Sequence, residues 1–134
     1  MILRTGIDIV EVARLEKIAG AIRQRFILRV FTPEEIQVCQ DDPVRLAGRF
    51  AAKEAVAKAL GCGISPVGWQ SIEILQGKAG EPVLILHGAA QSYAISLGLE
   101  TWSVSISHTR SYAAAVVVAL GSNPDRIIQQ EQGE

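Results

Sequence analysis

The stretch from Gly48 to Gly61 constrains the fold more than any other part of the chain. It places Ala51, Ala52, Ala55, Ala57 and Ala59 among Arg49, Lys53, Glu54 and Lys58. Ala and straight-chain residues favour a helix, which the spacing predicts from about Val44 to Leu60, with Gly61 as its left-handed stop. So many small apolar residues imply a helix packed on several sides. A buried helix keeps charges only where they find partners. The rest of the chain must therefore wrap this helix and bring partners to it. One carboxylate among three cations suits a metal-assisted phosphate site, in which the Glu helps to hold a divalent cation and the cations hold phosphates. The helix supplies no second carboxylate, and Asp8 is the best candidate for it.

Hydrophobic periodicity fills in the remaining elements. Ile2 to Val10 reads as a strand, with Leu3, Ile7 and Ile9 on one face and Asp8 on the other. Val12, Leu15, Ile18, Ile22 and Phe26 then recur at helical spacing, which leaves Arg14 and Lys17 outside. Thr32-Pro33-Glu34-Glu35 is a helix start: Thr32 caps, Pro33 suits the first position and Glu35 completes a capping box. That short helix should end near Asp41-Asp42-Pro43. Residues 71–76 and 83–87 read as strands joined by the turn at 77–82, and residues 89–97 as a helix stopped by Gly98. Thr101 to Ser107 alternates, with Trp102, Val104 and Ile106 on one face and serines on the other. Tyr112 to Leu120 is almost wholly apolar, as a central strand is, and needs cover on both faces, which a small domain can find by oligomerising. The sum is a single mixed α+β domain over residues 1–121, an antiparallel sheet packed by one long helix and shorter ones. A polar tail at 122–134 should fray.

Bulk properties exclude several classes. A chain of 134 residues with 49% hydrophobic content is one packed domain. Its net charge of -1 gives no pull towards nucleic acid or membrane. No run approaches the roughly 18 apolar residues of a transmembrane helix. Arg4 and Asp8 come too early for a signal peptide, and Cys39 and Cys62 lack metal or redox spacing, which fits a reducing cytoplasm. Charge is nonetheless uneven. Arg14, Lys17, Arg23, Arg25 and Arg29 against Glu16 give a local net of +4. That segment is either a solvated face or a docking surface for an acidic partner.

Singly, the candidate residues have ordinary readings. Asp8 could face water at a strand edge, although Gly6 leaves room for a ligand beside it. Glu54 and Lys58 form a standard helix ion pair, and Arg49 and Lys53 could simply be solvated. His108 opens a turn. Ser105 and Ser107 near it lack a nucleophile elbow and a third triad member, so a Ser/His hydrolase is not supported. Gly61-Cys62-Gly63 matches neither a P-loop nor a dinucleotide fingerprint. Together the pieces make more sense. Asp8 and Glu54 could hold Mg²⁺, while Arg49, Lys58 and His108 hold phosphates around it.

The order of four motifs then carries a resemblance. Gly6-Ile7-Asp8-Ile9-Val10-Glu11, Phe31-Thr32-Pro33-Glu34-Glu35, Leu46-Ala47-Gly48-Arg49-Phe50-Ala51-Ala52-Lys53-Glu54-Ala55 and Val104-Ser105-Ile106-Ser107-His108-Thr109 follow one another. This series resembles the holo-[acyl-carrier-protein] synthases, the small stand-alone branch of the 4'-phosphopantetheinyl transferases, from Ile2 to about Leu120. The resemblance implies that fold, and transfer of 4'-phosphopantetheine from coenzyme A to a serine of apo acyl carrier protein, releasing adenosine 3',5'-bisphosphate. It implies that Asp8 and Glu54 ligate Mg²⁺ and, with Lys58, act in catalysis. Arg49, His108, Thr109 and Lys58 would bind the co-substrate's phosphates. Arg14, with Arg23 or Arg25, would face the carrier protein. A cytoplasmic homotrimer with sites between subunits is also implied, in the service of fatty-acid or polyketide synthesis. Two other classes stay open on the residues alone: a non-catalytic module that docks a carrier protein, and a nucleotide hydrolase using the same cation.

Overall fold

The computed structural model describes residues 1–122. Apart from Ser122, the tail expected at 122–134 lies outside them. The chain runs β1 (Ile2–Glu11), α1 (Val12–Glu16), α2 (Gly20–Val30), α3 (Pro33–Cys39), α4 (Pro43–Leu60), β2 (Ile72–Gln76), β3 (Pro82–Leu86), α5 (Gly88–Ser96), β4 (Leu99–His108) and β5 (Tyr112–Gly121). A single 3₁₀ turn at Trp69–Ser71 leads into β2.

Two sheets result. β1, β5 and β4 form an antiparallel three-stranded sheet with β5 in the centre, and β2 and β3 form a separate antiparallel hairpin. The α+β class and the central apolar strand expected from the sequence are both present. Register places Asp8 opposite Ala115, and Ala115 opposite Ile106. α4 lies across one face of the larger sheet, and the contact is built from small residues. Ala47, Ala51, Ala55 and Ala59 of α4, with Ala113, Ala115, Val117 and Ala119 of β5, are all buried.

This close packing sets a hard limit at Gly6. A Cβ built there would sit 1.8 Å from the carbonyl oxygen of Ala55. No side-chain rotation relieves a clash with backbone. Gly6→Ala should therefore cost on the order of 3 kcal/mol or more, read as a lower urea midpoint at unchanged m-value.

The helix starts follow local chemistry. Thr32 Oγ1 accepts the Glu35 N–H at 3.1 Å, and Glu35 Oε1 accepts the Thr32 N–H at 3.0 Å, with Pro33 in the first turn. This is the capping box read from the sequence. Asp42 caps α4 by accepting the Val44 N–H at 2.9 Å. Gly61 ends α4 at φ 77°, the left-handed conformation expected of it.

One expectation needs correcting. The periodic stretch from Val12 to Phe26 is two helices, not one. Ala19 is extended and Gly20 sits at φ 64°, which breaks the hydrogen-bond ladder. Val12 and Leu15 are buried and Ile18 and Phe26 pack against the core, but Ile22 is exposed, so the apolar stripe is interrupted there. The two cysteines are free, as their spacing suggested. Burial pushes the Cys39 thiol up to about 11, which makes it inert at neutral pH.

On the outer face of the three-stranded sheet β1 and β5 present an apolar surface, uncovered in the single chain, while β4 adds Thr101, Ser103, Ser105 and Ser107. Leu3, Ile7 and Ile9 on β1 are 63%, 66% and 65% exposed. Tyr112, Val116, Val118 and Leu120 on β5 are exposed beside them.

Candidate active site

Two clusters of charge sit on α4. In the first, β1 delivers Asp8 to the C-terminal half of α4. Lys58 Nζ lies 3.1 Å from Asp8 Oδ1 and donates to the Ile7 carbonyl at 2.8 Å. Helical spacing makes Glu54, one turn back, the expected partner of Lys58. The ammonium turns instead to the strand, where a carboxylate and a carbonyl converge. Glu54 remains beside them. Burial pushes its carboxyl up, the Asp8 charge adds to that, and Lys58 and Arg14 pull back. Arg14, on the exposed side of α1, thus belongs to the same field.

The chemistry of this donor set can be tested against a cation. Among the described residues no group of three or more His, Cys, Asp and Glu side chains is placed to hold a metal ion. A closed zinc-type site is therefore absent there. Two neighbouring carboxylates, one with its proton affinity raised by burial and then by the charge of the other, suit a hard cation such as Mg²⁺. That ion is commonly held by one or two carboxylates, several waters and substrate phosphates.

The second cluster lies at the N-terminal half of α4. Arg45, Gly48, Arg49, Gln76, Ile106 and His108 line a cavity of about 220 Å³. Arg49 Nε donates to the Ile74 carbonyl at 3.1 Å and Nη1 to the Arg45 carbonyl at 3.5 Å, which together orient the guanidinium. His108, the last residue of β4, lines the cavity as well. Arg45 does not stand out in the sequence. Its only signal there is its place one turn before Arg49, on the same side of the helix. The Thr109 hydroxyl oxygen accepts the Ser111 and Tyr112 N–H groups at 3.2 and 3.1 Å, which leaves its O–H as a donor. It shapes the turn that carries His108.

The two clusters sit apart within one chain. Arg49 and Glu54 differ by five residues, about 140° round the helix and roughly 7.5 Å along it. Asp8 and Ile106 are separated by two strand spacings, about 10 Å.

The cations proposed for docking are unequal. Arg23 donates to the Leu15 carbonyl and to Asp41 Oδ1, both at 2.7 Å, and so ties α2 to α1 and to the turn after α3. Arg25 is exposed, with only a 3.4 Å bond to the Ala21 carbonyl one turn back. Lys53, which could have been solvated on sequence grounds, is wholly buried and paired with Glu35 at 2.7 Å. It takes no part in either cluster.

Comparison with known proteins decides the family. A family model described as the 4'-phosphopantetheinyl transferase superfamily matches residues 4–117. The chain belongs to this superfamily. The holo-[acyl-carrier-protein] synthase of Solidesulfovibrio magneticus is 49% identical over 123 residues, 90% of this chain and 100% of its own. That of Herpetosiphon aurantiacus is 44% identical over 126 residues, covering 89% and 99%. Among solved structures, Helicobacter pylori holo-[acyl-carrier-protein] synthase in complex with coenzyme A superposes with TM-score 0.79 at 37% identity, over 87% of this chain and 99% of that one. The Plasmodium yoelii acyl carrier protein synthase with ADP bound gives 0.81 at 31% identity, over 92% and 98%. The transferase described here is thus an enzyme of the holo-[acyl-carrier-protein] synthase type. Among its described residues no helix is long and apolar enough to cross a membrane.

Proposed function

We propose that this transferase moves the 4'-phosphopantetheine group from coenzyme A to a serine hydroxyl of an apo acyl carrier protein, with adenosine 3',5'-bisphosphate as the leaving group, in the cytoplasm. The observation that carries the reading is the Asp8–Glu54–Lys58 cluster: two carboxylates and one ammonium on adjoining elements, open to solvent on the Lys58 side. Mg²⁺ held by Asp8 and Glu54 would supply charge neutralisation at the pyrophosphate.

The residues of the chain divide the remaining work. Arg49 and His108, with Arg45 beside them, bind the nucleotide's phosphates. Thr109 supports His108. Lys58 leaves Asp8 for the pyrophosphate, where it offsets charge on the departing oxygen. The serine oxygen forms a bond to the β-phosphorus, and the bond from that phosphorus to the bisphosphate oxygen breaks. The hydroxyl proton passes to a water beside the carboxylate pair, or through that water to a carboxylate. Arg14 and Arg25, with Arg23 behind them, present positive charge to an acidic carrier protein.

The separation of the clusters supports a shared site. The cations of one copy complete the carboxylate cluster of the next, and the exposed apolar face of β1 and β5 supplies the contact. A homotrimer is the assembly proposed. Ile7→Asp should yield a folded monomer by light scattering, with transfer activity lost. A folded monomer with full activity would sink the shared site.

The direct test weighs an apo acyl carrier protein after incubation with the enzyme, coenzyme A and Mg²⁺. A gain of one phosphopantetheinyl group that a chelator abolishes is the expected result. An unchanged carrier mass despite measurable docking would point to a non-catalytic binding module.

A further inference from the structure

The reaction leaves one buried charged cluster unused. Glu35 and Lys53 are both 0% exposed, and their side chains meet at 2.7 Å. Apolar residues of the same volume stabilise a core as well as a buried ion pair, or better. The pair therefore invites a reason other than stability.

Its hydrogen bonds supply one. β2 pairs with β3 along one edge, and its other edge has no partner strand among the described residues. Unpaired backbone groups in a buried edge must be satisfied by side chains. Lys53 Nζ donates to the carbonyls of Trp69, at 3.0 Å, and Ile72. Glu35 Oε2 accepts the Ile74 N–H at 3.0 Å, while Oε1 holds Lys53 and the Thr32 N–H. The next group on that edge, the Ile74 carbonyl, accepts Arg49 Nε at 3.1 Å. Ile74 is thus clamped at its N–H by the ion pair and at its C=O by the arginine of the phosphate cavity. The same hairpin carries Gln76, Gly80 and Pro82 into the cavity wall.

We infer that Glu35 and Lys53 are positioning residues of the transfer reaction: by fixing the free edge of β2 they set where Ile74 presents its carbonyl, and so where Arg49 aims its guanidinium. The inference rests on the reading that the Arg45–Arg49–His108 cavity holds phosphates of coenzyme A. Neither residue touches the co-substrate. Their effect passes through one strand residue to one binding arginine, so it falls on coenzyme A affinity and not on turnover or on the carrier protein.

The test compares two double variants in the full-length enzyme. Glu35→Leu/Lys53→Met removes the ion pair and the acceptor for Ile74. Glu35→Gln/Lys53→Met removes the charges but keeps a carbonyl oxygen for the Ile74 N–H. In the first, KM for coenzyme A should rise about tenfold, the scale of one or two hydrogen bonds. Its kcat and its KM for carrier protein should stay within about twofold. In the second, KM for coenzyme A should return most of the way. If the first variant does not fold, Glu35→Met/Lys53→Met, which likewise removes the acceptor for the Ile74 N–H, should show the same selective rise when assayed at lower temperature. A folded variant with wild-type KM for coenzyme A, or with both KM values raised equally, would overturn the inference. Arg49→Ala run alongside separates the two readings: unchanged KM there removes the phosphate role of Arg49 itself, and with it the inference. A raised KM there beside an unchanged one in the double variant removes only the positioning.

Discussion

Glu54→Gln should abolish most transfer and yet raise the melting temperature of the cation-free protein. Charge stabilisation by a bound cation is worth several kcal/mol in a transition state, so loss of one carboxylate ligand should cost about 10²–10³-fold in kcat/KM. The stability gain has a separate cause. Burial first, and Asp8 second, push the Glu54 carboxyl above its ordinary value of 4.5. The folded state therefore binds this proton more tightly than the unfolded state. Stability declines as pH rises from the ordinary carboxylate value through the raised one, and at neutral pH the ionised Glu54 is a standing cost. A neutral Gln removes it. The gain should be present at pH 7 and fade as pH falls below the ordinary value of 4.5, where the carboxyl is protonated in both states. Adding Mg²⁺ should stabilise the wild type and leave the variant unmoved. A variant that melts lower at pH 7 without cation would contradict this account, as would one that retains activity.

Glu35→Ala should be the most destabilising single truncation in the domain. It strands the Lys53 ammonium in the core and leaves the Ile74 and Thr32 N–H groups without acceptors. Removing one partner of a buried ion pair costs about 3–5 kcal/mol. For a domain whose whole stability is of the order of 5–15 kcal/mol, that is a large share. Burial holds the Lys53 ammonium below its ordinary lysine value, while Glu35 pulls it back up. With Glu35 gone only the burial cost remains. Replacing both residues by apolar ones should recover most of the loss, because it removes the orphaned charge as well. Urea unfolding of the two singles and the double measures this. A Glu35→Ala midpoint close to wild type would show that the pair is not buried as described.

The features legible in the sequence are those decided within a few residues. The Thr32–Glu35 box closes over three positions, Gly61 stops its helix by its own backbone freedom, and the alternation of β4 shows in its serines. Asp8, Glu54, Lys58, Arg49 and His108 stand out because each is a charged or titratable residue in an apolar or turn setting. The tertiary structure alone decided which charges meet. Lys53 and Lys58 are five residues apart on one helix, and nothing local distinguishes them. One is sealed against Glu35, and the other reaches Asp8 on a strand 50 residues away in sequence. The same holds for the sheet. The sequence alternates Leu3, Ile7 and Ile9 on one face, but only α4, which occupies the other face, leaves that apolar row exposed. Periodicity records which side chains share a face. Only the packing of distant elements determines which face is covered, because burial and charge pairing depend on groups far apart along the chain.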